Sequence, residues 1–121
     1  MEFADLQYKC GLNAATKGWH DRYHELGILE DSISMTEHLV TKTALIGSEV
    51  AEAIEELRKG HGPNEVYEGE NSKPEGFPVE LADVVIRALD LAYTLEIDLE
   101  QTIHDKLAFN KTRERLHGKT V

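Results

Sequence analysis

Residues 78–95, PVELADVVIRALDLAYTL, constrain the fold more than any other stretch of the chain. At about 100° per residue, Val79, Leu81, Val84, Val85, Ile86, Ala88, Leu89, Leu91 and Ala92 cover most of a helix circumference. Glu80, Asp83, Arg87 and Asp90 share the remaining sector, roughly 80° wide. A helix apolar on most sides is a buried helix, so its narrow charged stripe faces either water or a polar cleft. Pro78 suits its first turn, and the helix is expected to run to about Leu95.

The partners of this helix are also helical. In the first expected helix, about residues 3–17, Leu6, Cys10, Asn13 and Lys17 recur at helical spacing, and Lys17 followed by Gly18 is a stop. Residues 19–33 are ambiguous, with room for a short helical turn through Trp19–Leu26. Ser34 and Glu37 have the spacing of a capping box. The stripe Leu39, Thr43, Ile46, Val50, Ala53, Ile54 and Leu57 then continues to the stop Arg58-Lys59-Gly60. A last helix is expected after Asp98, an N-cap with Gln101 at N3, with Leu99, Ile103 and Leu107 on its inner face and an end near Arg115. No segment alternates as a strand bounded by hairpin turns. The expected class is all-α, four-helix-bundle-like.

At 121 residues the chain supports one core, so one domain over 1–121 is expected. All 3 prolines fall between Gly60 and Pro78, which marks 60–78 as a mobile loop, either a lid or disordered; 116–121 is expected to be a flexible tail. The net charge of −10 argues against binding polymeric nucleic acid, which usually needs a basic face. The apolar run around 79–97 is broken by charges and the N-terminal residues carry no targeting pattern, so a cytoplasmic protein away from membranes is expected. The single cysteine, Cys10, excludes an intrachain disulfide and fits a reducing compartment.

The chemistry lies in acids on two helices. Glu49, Glu52 and Glu56 lie within a sector of about 60° beside the apolar stripe, among the small residues Gly47, Ala51 and Ala53. Glu80 and Asp83 have the same i, i+3 spacing on the other helix. Two carboxylates about 5 Å apart repel by roughly 3 kcal/mol at an effective dielectric near 20. If the stripes face each other, protonation, cationic side chains or a divalent cation must offset that repulsion. Oxygen donors favour a hard ion, Mg²⁺ first, with Mn²⁺ or Ca²⁺ as substitutes. The bland alternative is a solvated acidic face. Glu56 has two open roles, orienting or deprotonating a water, or pairing as a surface acid with a basic residue. Lys106, Asn110 and Arg113 share a face at i, i+4, i+7 in the basic stretch 106–119, suited to phosphate oxygens. His20 and His24 at i, i+4 do not by themselves complete a metal site.

Glu49-x-x-Glu52, 27 intervening residues and Glu80-x-x-Asp83 resemble the signature of the MazG-like, all-α nucleoside triphosphate pyrophosphohydrolases. SEVAEAIEELRKG and PVELADVVIRALDLA are similar to that family's metal-binding core, KLAFNKTRERLHGK to its phosphate-contacting segment, and NAATKGWH to its base-pocket segment. The resemblance implies hydrolysis of a (d)NTP to a (d)NMP and pyrophosphate by water attack at the α-phosphorus. It implies Glu49, Glu52, Glu80 and Asp83 as Mg²⁺ ligands, Lys106, Asn110 and Arg113 at the phosphates, and Asn13, Lys17, Trp19 and His20 near the base. It also implies a homodimer or dimer of dimers; loop 60–78, if it is a lid, would close over substrate. Three alternatives stand beside it. One is a non-catalytic acidic helical interaction module. Another is a related enzyme acting on dUTP or a phosphoribosyl nucleotide. The third, a di-iron carboxylate bundle, is weakened because the one E-x-x-H, Glu114 to His117, lies in the basic tail.

Overall fold

The computed structural model describes residues 2–120. Its five α-helices are α1 (Phe3–Thr16), α2 (Asp21–Leu29), α3 (Ser32–Arg58), α4 (Phe77–Thr94) and α5 (Leu99–Lys111). The class is all-α, as the periodicities predict. Between α3 and α4, β1 (Tyr67–Glu68) pairs antiparallel with β2 (Pro74–Glu75), so a small hairpin occupies the middle of the 60–78 segment.

The helix ends follow from local chemistry. After α1, Gly18 adopts φ +86°, its N–H donates to the Ala15 carbonyl, and the Trp19 N–H donates to that of Ala14. This left-handed stop swings Trp19 and the chain into α2. The ambiguous stretch is therefore a full helix, and its Leu26 is among the most buried side chains. The Ser34 capping box is not used. The carboxylate of Asp31 accepts from the Ser34 N–H at 3.0 Å, so the helix begins three residues earlier, with Ser34 in its first turn. Aspartate caps at least as well as serine, so Asp31 can start the helix ahead of Ser34. The expected C-terminal stop is present: the Gly60 N–H donates to Leu57 and the His61 N–H to Glu56. Asp98 caps α5 by accepting from the Gln101 N–H at 3.1 Å, as expected. The helix stops at Lys111, short of the expected Arg115, and the Thr112 hydroxyl there donates to the Phe109 carbonyl.

α4 is the central element, packed between α3 on one side and α1 on the other, with α2 against α3. Leu26, Ala53, Leu89 and Ala92 form the buried centre. α1 approaches α4 closely because Gly11 has no side chain; a Cβ there would overlap the Tyr93 ring. Gly76, at φ +127°, ahead of α4 is equally constrained, because a Cβ would overlap the Glu65 carbonyl oxygen. The expectation that α4 is largely buried holds for only part of its surface. Leu81, Val85 and Ile86 stay about half exposed, and α5 contributes no buried residue.

Candidate active site

The two acidic stripes face each other across the α3–α4 interface. One carboxylate oxygen from each of Glu49, Glu52 and Glu80 lies within 4.8 Å of the others, close enough for all three to hold one cation. Glu49 is buried, and the Arg87 Nε–H donates to its Oε1 at 2.7 Å. Arg87 lies on the stripe that carries Glu80 and Asp83, so its periodicity was visible and its partner was not. Glu80 is pushed up to about 7, first by desolvation, then by sharing a proton with Glu52, and then by the charges of Glu52, Asp83 and Glu49. Its Oε2 is buried and has no hydrogen-bond partner among the described residues. Burial and the charge of Glu49 also raise Asp83, against opposing pulls from Arg87 and Lys73. Asp83 sits beside the three clustered acids without joining their closest grouping.

Without a metal, the repulsion in the cluster is offset by the Arg87 guanidinium and by the raised proton affinity of Glu80. An orphaned buried oxygen among three convergent carboxylates fits a hard divalent cation, which would neutralise the group without protonation. The His20 and His24 rings stand edge to face at 6.2 Å, and His20 Nε2 is already engaged by Asp90 and Thr94.

Glu56 shares the stripe but not the cluster. It is buried, and the Tyr67 hydroxyl reaches its two oxygens at 3.0 and 2.8 Å. This bond pushes the Tyr67 phenol up to about 12. His61 stacks on Tyr67 with ring centroids 4.5 Å apart, and its Nδ1 lies 2.9 Å from Glu65. Glu56 thus ties the hairpin to the end of α3. Tyr67 carried no sequence signal, because the contact depends on how the hairpin folds back.

A cavity of about 270 Å³ opens beside the acids and links two groups of residues singled out in the sequence. Glu49 and Asp83 line it together with Asn13, Trp19 and His20. Trp19 is 60% exposed, and Lys42 Nζ lies 5.4 Å from its ring centroid. Lys17 does not line the cavity; it caps the end of α1. Lys106, Asn110 and Arg113 do not line it either. Lys106 and Asn110 lie on α5, whereas Arg113 lies two residues past its end. Lys106 and Arg113 both pack over Phe109, at 5.1 and 5.8 Å, and Asn110 Oδ1 is buried without a partner among the described residues.

Among known proteins, the chain is similar over 36 residues, at 53% identity, to a dATP/dGTP diphosphohydrolase from Cyanophage S-2L. The matched stretch is 30% of this chain and 34% of that protein, so the likeness spans about a third of the relative's length. No family model and no solved structure matches the chain. No described helix is long and apolar enough to cross a membrane.

Proposed function

We propose that the chain is a Mg²⁺-dependent nucleoside triphosphate pyrophosphohydrolase of the MazG-like type, converting a (d)NTP and water to a (d)NMP and pyrophosphate. The observation that carries this reading is the convergence of Glu49, Glu52 and Glu80, with an orphaned oxygen on Glu80, beside a cavity walled in part by Trp19. The short likeness to a dATP/dGTP diphosphohydrolase supports the same reaction class.

In this reading Glu49, Glu52, Glu80 and Asp83 hold the cation, with Mn²⁺ as a substitute. When bound, it supplies a Lewis acid for the phosphoryl oxygens and lowers the pKa of a coordinated water. Arg87 fixes the Glu49 carboxylate, which leaves its second oxygen to bind. The Trp19 ring offers the base a stacking surface, and Asn13 offers it an amide. The water oxygen bonds to the α-phosphorus and gives up a proton to bulk solvent, the bond from that phosphorus to the α,β-bridging oxygen breaks, and pyrophosphate leaves. Glu56, held by Tyr67, anchors the hairpin beside the site. Lys106, Asn110 and Arg113 meet the phosphates within a homodimer or dimer of dimers. The half-exposed apolar residues of α4, and the exposed Ile103 and Leu107 of α5, supply surface for that assembly.

A panel of NTPs and dNTPs tests the proposal by following pyrophosphate and orthophosphate with Mg²⁺ and with EDTA. Pyrophosphate formed only with the cation is expected. Orthophosphate as the primary product would reject attack at the α-phosphorus. No turnover, with no thermal stabilisation by Mg²⁺, would favour the non-catalytic interaction module.

A further inference from the structure

We infer that Asp90, set by His20 and Thr94, reads the exocyclic amino group of the nucleobase and so selects adenine, guanine or cytosine over uracil and thymine. The inference rests on the reading that the cavity beside the acids takes the base.

The hydrogen-bond network fixes the polarity of this corner. The Thr94 hydroxyl donates to the Asp90 carbonyl one turn back, at 3.0 Å. Its single proton is thereby used, so Thr94 Oγ1 meets His20 Nε2, also at 3.0 Å, as an acceptor. His20 Nε2 therefore carries the proton and shares it between Thr94 Oγ1 and Asp90 Oδ1, the latter at 2.6 Å. His20 is only 6% exposed and its ring stacks on Tyr93 with centroids 6.2 Å apart, which restrains the imidazole.

Asp90 is left acting only as an acceptor. Its Oδ1 is occupied by His20, and its Oδ2 has no hydrogen-bond partner among the described residues. The residue lines the cavity that also holds Trp19, Asn13, Glu49 and Asp83. Its negative charge is felt across the cavity at Cys10, whose thiol is raised first by burial and then by Asp90. A fixed carboxylate in a half-enclosed pocket needs an N–H donor from its ligand. Exocyclic amino groups at position 2 of guanine, 6 of adenine and 4 of cytosine supply one. At the corresponding positions uracil and thymine present carbonyl oxygens, which a carboxylate repels, and their one base-edge donor, N3–H, lies between two of these oxygens.

The test compares matched triphosphates that differ by the amino group alone: dGTP with dITP, and dATP with the deoxyriboside triphosphate of unsubstituted purine. Pyrophosphate release gives kcat/KM, and quenching of Trp19, the chain's only tryptophan, gives binding without requiring turnover. Removing the amino group from the preferred base is expected to lower kcat/KM about tenfold or more, as sites built around a substrate hydrogen bond do. In Asp90→Asn, His20 still donates to the side-chain oxygen, so the amide NH₂ faces the cavity. The preference should then fall to parity or reverse toward the keto base. A purely structural Asp90 would lower every substrate alike and leave the ratios unchanged, which overturns the inference. So does a wild-type protein that prefers dTTP or dUTP, a comparison that stands even if the variant fails to fold. Absence of pyrophosphate release with every nucleotide counts against the proposed activity instead; the Trp19 binding series then still decides the role of Asp90.

Discussion

Replacing Glu80 with glutamine should stabilise the metal-free protein and abolish its response to Mg²⁺. In the folded chain the Glu80 carboxyl titrates near 7, against an ordinary value of 4.5. A raised carboxyl binds its proton more tightly folded than unfolded. Its contribution is therefore most favourable below about pH 4.5 and is lost as pH rises through 7. At ~1.36 kcal/mol per pH unit, the gap corresponds to at most about 3.4 kcal/mol of destabilisation above pH 7. Glu80 keeps part of its surface in water, and screening reduces this to about 1 kcal/mol. For a domain of this size that is roughly 3–6 °C in melting temperature. Thermal melts followed by circular dichroism in EDTA should show Glu80→Gln melting higher than wild type at pH 8, with the advantage shrinking at pH 5. Added Mg²⁺ should raise the wild-type transition and move the variant less. An advantage independent of pH, or a variant less stable than wild type at pH 8, would refute the picture of an acid crowded by Glu49, Glu52 and Asp83.

Three further outcomes follow from the same geometry. Asp83→Asn and Glu49→Gln should each abolish pyrophosphate release while the far-UV spectrum stays helical; near-parental rates in either would remove that residue from the ligand set. Tyr67→Phe should lower the melting temperature at pH 7 by leaving the Glu56 carboxylate without its donor. Because the phenol is raised to about 12, the wild type's advantage is present below about pH 10 and fades as pH approaches 12, which melts across that range would read. Gly11→Ala should cost about 1–3 kcal/mol in urea denaturation, because the added methyl must displace the Tyr93 ring; an unchanged midpoint would mean that α1 and α4 are not in close contact.

Much of this molecule was legible from short-range rules. Pro78 and the Asp98–Gln101 pair marked helix starts, and Gly18 and Gly60 marked stops, because capping is satisfied within a few residues. Which acids share a face was legible, because helical period fixes it; that the two stripes meet came only with the packing of α3 on α4. Local rules failed where two solutions competed, as Asp31 did with Ser34 for the start of α3. They also failed where a partner lies far away in the chain. Asp90 was visible in the polar sector of α4, but its bond to His20 spans 70 residues, and only the packing of α4 against the turn after α1 creates it. Tyr67 reaches Glu56 only because the hairpin folds back on α3. The end of α5 at Lys111 was not legible, so Arg113 lies beyond the helix expected to carry it.

The most direct test of the central claim is hydrolysis of dGTP in ¹⁸O-labelled water, with Mg²⁺, and mass analysis of both products. Attack at the α-phosphorus places the label in the nucleoside monophosphate and leaves pyrophosphate unlabelled. Label found in pyrophosphate, or in orthophosphate released directly from substrate, would contradict the account.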